Sequence, residues 1–104
     1  LDEEIVALSA FIEEVRGGGP PSEEAPRKFR RYCSECHRLG ERGGDKGPDL
    51  SSIGSARTRS FIHRYIENPK TLLPTSKMPV FLEPEGPLSH TQIEDIARYL
   101  AAQR

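Results

Sequence analysis

Cys33-Ser34-Glu35-Cys36-His37 is the stretch on which the fold of this 104-residue chain turns. Two thiols three positions apart, with an imidazole directly after the second, form a Cys-x-x-Cys-His run. Upstream, residues from about Ser22 read as a helix running into this motif. Glu23 and Glu24 fall in its first turn, and Phe29 and Tyr32 supply its apolar side. Downstream, Arg38 to Gly54 is rich in Gly, Asp and Pro, the composition of a long irregular loop.

On one helical turn, two thiols at this spacing reach both vinyl groups along one edge of a porphyrin and form thioethers, which brings the next imidazole under the iron. The motif therefore reads as covalent attachment of one haem c through Cys33 and Cys36, with His37 as an axial ligand. A thioredoxin-type dithiol requires a βαβ setting that is not legible here. A zinc site needs two further ligands, and His63 and His90 lie too far along the chain for the usual spacing. A disulfide between the two cysteines would leave His37 without a role.

Composition agrees with a bound cofactor. Apolar residues are scarce, and there is no Trp. A chain this small and polar does not build a sufficient core unaided, and a buried porphyrin supplies apolar mass. Charge is nearly balanced overall, with 15 basic and 16 acidic side chains, but it is unevenly placed. Residues 1–21 carry five acidic groups against Arg16, whereas residues 22–104 carry 14 basic groups against 11 acidic. So weak a basic excess, without clustered aromatics, speaks against nucleic acid and for transient steering of an acidic protein partner. No apolar run is long enough to span a membrane.

The remaining helices follow from periodicity. Leu1, Ile5, Leu8, Ile12 and Val15 form an amphipathic stripe, ended by Gly17-Gly18-Gly19-Pro20-Pro21. Residues 1–21 are thus expected to be a separate helix and linker, with the domain proper at 22–104. An echo between Ile5, Leu8, Phe11, Ile12 and Ile93, Ile96, Tyr99, Leu100 makes the closing helix of a preceding redox domain one reading of that segment, and an ordinary packing helix the other. Residues 55–67 place Phe61, Ile62, Tyr65 and Ile66 at helical spacing before Asn68-Pro69. Residues 70–87 hold four prolines and read as an extended loop. Ser89 and Gln92 form a capping-box pattern ahead of Ile93, Ile96, Ala97 and Leu100, with Leu88 positioned to staple onto Ile93. The expected fold is all-α: three to four short helices and long loops wrapped around one haem.

Met78, in Thr75-Ser76-Lys77-Met78-Pro79, is the only methionine and lies off any helical stripe. It is therefore favoured over core filler as the second axial ligand. His63 and His90 compete with it, and both are expected at the surface.

Taken together, these features resemble the class I c-type cytochromes over residues 24–102. Phe29 matches the aromatic of that family's N-terminal helix, and Ile96-Ala97-Arg98-Tyr99-Leu100 matches its C-terminal helix, whose aromatic packs across the first. Lys46-Gly47-Pro48-Asp49-Leu50 is similar to the loop whose proline carbonyl accepts from the haem-ligating histidine. Glu67-Asn68-Pro69-Lys70, with Pro74 and Lys77-Met78, is similar to the loop bearing the Met ligand. The resemblance implies that Pro48, Leu50, Tyr65 and Ser76 surround the haem, with Tyr65 near the Met78 sulfur and Ser76 near a propionate. It departs at Arg57, which stands where mitochondrial members place a Trp, so Arg57 and Arg59 are weighed as propionate partners against solvated side chains.

The implied function is electron transfer by a six-coordinate His37/Met78 haem cycling between ferrous and ferric. The domain would then be a carrier rather than an enzyme, and it would dock redox partners through Arg38, Arg42, Lys46, Lys70 and Lys77. Because haem c is attached outside the cytoplasm, a periplasmic or other extracytoplasmic location is expected. A haem-based ligand-binding or peroxidase-like domain with a labile distal Met78 is the alternative.

Overall fold

The computed structural model describes residues 19–104; the expected helix over 1–15 and most of the linker lie outside the described residues. Five helices are present among them: α1 (Glu24–Tyr32), α2 (Ile53–Ala56), α3 (Arg59–Glu67), α4 (Pro69–Leu72) and α5 (His90–Ala101). A two-stranded antiparallel ladder, β1 (Arg38–Leu39) and β2 (Arg42–Gly43), follows the cysteine motif.

The long C-terminal helix α5 is the hub, contacting α1, α2 and α3. Its apolar stripe Ile93, Ile96, Ala97, Leu100 and Ala101 is buried, with Ile93, Ile96, Ala97 and Ala101 wholly inaccessible. Small residues set the approach of α1, where Ala25 is also wholly inaccessible. Beside them, Phe29 and Tyr99 meet edge to face with ring centroids 6.1 Å apart. This is the crossing of the two terminal helices that the resemblance implied. Phe29, Ile62, Ile66, Phe81, Leu88 and the α5 stripe form one apolar cluster, and Cys33 belongs to it.

Local signals account for most helix ends. Ser89 Oγ accepts from Gln92 N–H at 3.1 Å, and Gln92 Oε1 accepts from Ser89 N–H at 2.8 Å, completing the capping box. Such a cap contributes about 1 kcal/mol. Leu88 and Ile93 are both buried beside it. Helix α1 begins at Glu24 rather than Ser22; Ser22 Oγ accepts from Glu24 N–H at 3.1 Å, and Ser22 N–H donates to Asp95 at 2.7 Å. Pro26 is tolerated because its missing N–H falls in the first turn.

The structure corrects three expectations about local form. The helix expected over 55–67 is two: α2 ends before Arg57, which is extended, and α3 starts anew with Thr58 as N-cap accepting from Phe61 N–H at 3.2 Å. The loop expected over Arg38–Gly54 contains the ladder, and at φ +118° Gly43 closes it where a Cβ would meet the His37 carbonyl oxygen at 2.1 Å. The loop over 70–87 opens with α4, whose first residue Pro69 both ends α3 and starts the new turn.

Candidate haem-binding site

The cysteine motif sits at the C-terminal end of α1 and continues its turn. Cys33 N–H donates to Phe29 O at 2.8 Å, Cys36 N–H to Cys33 O at 3.2 Å and His37 N–H to Cys33 O at 3.0 Å. Cys33 and Cys36 are therefore one turn apart on the same side of the backbone, as attachment to two positions on one macrocycle edge requires. They are not joined to each other. Burial, followed by the neighbouring Cys36, pushes the Cys33 thiol up to about 12.

His37 is buried, and its ring is fixed from two sides. Nδ1 lies 2.8 Å from the Pro48 carbonyl oxygen. A carbonyl only accepts, so Nδ1 carries the proton and Nε2 keeps the lone pair that ligates a metal. The same hydrogen bond holds the imidazole plane in one orientation. Gly47 backs the ring so closely that a Cβ there would meet His37 Cε1 at 2.5 Å and Nδ1 at 2.8 Å. The loop is pinned to the motif by Gly47 N–H donating to Cys36 O at 2.7 Å, and by Leu50 N–H donating to Arg38 O at 2.8 Å. Leu50 and Leu39 pack half-buried against the core.

Met78 also packs half-buried on the core. Ser76, two residues earlier, is buried and acts as a node. Its Oγ accepts from Tyr65 Oη–H at 3.1 Å and from Met78 N–H at 3.2 Å, and its carbonyl accepts from Lys70 Nζ at 2.5 Å. The sequence-predicted pair Tyr65 and Ser76 is thus brought together, directly behind the backbone of Met78. Replacing Ser76 with Ala leaves the Tyr65 hydroxyl and the Met78 amide without a partner. The expected cost is about 1–3 kcal/mol, read as a lower denaturation midpoint of the haem-loaded protein.

The donor set fits haem c. It offers two cysteines on one turn, an imidazole with its free nitrogen set by Pro48, and a glycine cradle that admits no side chain.

Two expectations about other residues are overturned. His63 is buried rather than at the surface, because it lies on the side of α3 that packs against α5; of the two competing histidines only His90 is exposed. Arg59 is not simply solvated, since Nη1 donates to Glu94 at 2.7 and 3.0 Å. Arg57 is exposed, with its guanidinium 5.0 Å from the Phe61 ring centroid. Of the expected docking cations, Arg38, Arg42, Lys46, Lys70 and Lys77 are all exposed. Arg38 is bent onto Gly40 O at 3.1 Å, and Lys70 spends its ammonium on Ser76.

No described helix is long and apolar enough to cross a membrane. No curated protein matches the chain. The cytochrome c family, in contrast, matches over residues 22–103, which contain every element described above, and the chain belongs to that family.

Proposed function

We propose that this domain carries single electrons through one haem c, attached by Cys33 and Cys36 and held axially by His37 Nε2 and the Met78 sulfur. The bound haem supplies a one-electron ferrous/ferric couple, whose potential a Met ligand opposite His raises. The chain's own residues do the positioning. Pro48 holds the His37 proton on Nδ1 and so aims Nε2. Gly47 allows the loop to press on the ring, and Ser76 fixes the backbone from which Met78 projects. The apolar cluster around Phe29, Ile62 and Ile96 keeps the interior dry.

The single observation that carries this reading is the 2.8 Å contact between His37 Nδ1 and Pro48 O, beside two cysteines one turn apart. Met78 is favoured as the opposite ligand because His63 has both ring nitrogens, and His90 its Nδ1, drawn into one cluster with Glu67 and Glu94. With His37 and Met78 both bound to it, the iron would offer substrate no open position, as suits a carrier. The exposed Arg42, Lys46 and Lys77 would contribute to a small, transient docking face for an acidic redox partner on the extracytoplasmic side of a membrane. The test is expression with haem-maturation machinery, followed by denaturing mass measurement and voltammetry. One covalently retained haem and a reversible one-electron wave are expected; a colourless protein would overturn the assignment.

A further inference from the structure

A second cluster of ligating side chains, unused by the haem site, lies where α3 meets the start of α5. His63 and Glu67 are one turn apart on α3, and His90 opens α5. His63 Nε2 lies 2.8 Å from His90 Nδ1 and 3.1 Å from Glu67 Oε2, and His90 Nδ1 lies 3.1 Å from Glu67 Oε2. The other nitrogen of His63, Nδ1, is 2.6 Å from Glu94 Oε1.

Glu94 determines the state of that ring. Its carboxylate is ion-paired with Arg59 Nη1 at 2.7 Å and with Arg98 Nε at 3.0 Å, and its Oε1 faces His63 Nδ1. An ionised carboxylate only accepts, so the His63 proton sits on Nδ1 and the Nε2 lone pair points at Glu67 and His90. Glu67 Oε2 only accepts and His63 Nε2 offers a lone pair, so the space between the three side chains is filled either by a proton on His90 Nδ1 or by a cation that displaces it. Arg59 and Arg98 already serve Glu94, at 2.7 and 3.0 Å. Lys28, Asp95 and Glu24 line the adjoining groove, and Asp95 is engaged by Ser22.

We propose that His63, Glu67 and His90 form a second metal site, separate from the haem, that takes one borderline divalent cation of the Zn2+ class and clips α3 to α5. Two imidazoles and a carboxylate are the donors such ions favour, at about 2.0–2.2 Å. With donor separations of 2.8–3.1 Å, those bond lengths give ligand–metal–ligand angles of roughly 80–100°. The three residues therefore cap one face of the ion and leave the other to water. Glu94, at His63 Nδ1, would complete a carboxylate–histidine–metal arrangement and fix the orientation of the His63 ring. His90, with its side chain 71% exposed, is the entry side.

The test is titration of the haem-loaded protein with Zn2+ by calorimetry, together with Zn K-edge absorption, which is distinct from the iron edge. One Zn2+ per chain is expected, with two imidazole ligands and no change in the visible haem spectrum. His90→Ala removes an exposed ligand without touching the core and is expected to weaken Zn2+ binding by at least about tenfold; Glu67→Gln does the same from the buried side. Absence of binding, or binding that neither substitution weakens, would overturn the site. A haem spectrum that changes with Zn2+ would place the ion at the iron ligands instead and would equally overturn it.

Discussion

Replacing Met78 with Ala is expected to turn a low-spin, unreactive haem protein into a high-spin one that binds carbon monoxide rapidly. Met78 lies only half-buried at the edge of the core, so the fold loses little with its side chain. On the proposed ligation the iron, in contrast, would lose one of its two protein ligands. A thioether opposite imidazole favours the ferrous state, and axial ligation moves haem potentials across about 0.8 V. The reduction potential is therefore expected to fall by on the order of 0.1–0.3 V. Visible spectra and voltammetry of the variant check both effects. Met78→His restores six-coordination and a low-spin spectrum but keeps the low potential, which separates loss of a ligand from loss of structure.

The largest expected effect on stability comes from Ile96→Ala. Ile96 lies in the middle of α5, wholly inaccessible, on the face that receives α1 and α3. Its neighbours in the cluster are fixed on separate elements, Phe29 and Cys33 by α1 and its cysteine turn, Ile62 and Ile66 by α3, so the gap cannot close without moving a helix. A truncation of this kind costs about 2–5 kcal/mol, the transfer of the lost methylenes plus the residual cavity. For a domain of this size that lowers Tm by roughly 10–30 °C. Because Cys33 belongs to the same cluster, the yield of haem-loaded protein is expected to fall as well. Thermal denaturation followed at the haem absorption checks the first effect, and haem per chain the second.

These effects differ in how far they could be seen from the chain alone. The Cys-x-x-Cys-His turn and the Ser89/Gln92 capping box are local: the spacing of a few residues determines which atoms can meet. The α5 stripe was legible for the same reason, through its period. The split between α2 and α3 was less so, because the apolar spacing of Phe61, Ile62, Tyr65 and Ile66 extends a helix backward over Arg57, and only the Thr58 cap marks the break. The ladder at Arg38–Gly43 is too short for any alternation to show. Least legible was the cluster around His63. The His63–Glu67 pair is a visible helical neighbour, but His90 and Glu94 arrive from a helix that begins 27 residues after His63. Only the packing of α5 on α3 brings them into one cluster. The same packing accounts for Arg59, whose partner Glu94 is on that distant helix.

The haem loop lies between these cases. That Pro48 faces His37 followed from the resemblance of Lys46-Gly47-Pro48-Asp49-Leu50 to a family loop, and the structure supplies the physical reason. Gly47 is the one residue type that lets the backbone come within contact distance of the imidazole. The resemblance implied Ser76 near a propionate; the structure adds that its hydroxyl accepts from Tyr65 Oη–H and from the Met78 backbone N–H, which ties it to the backbone of the proposed second iron ligand.

The absorption spectrum of the ferric, haem-loaded protein tests the central claim most directly. Ligation by His37 and Met78 predicts a low-spin spectrum with a sulfur-to-iron charge-transfer band that disappears in Met78→Ala. A high-spin ferric spectrum, or a low-spin one without that band, would contradict it.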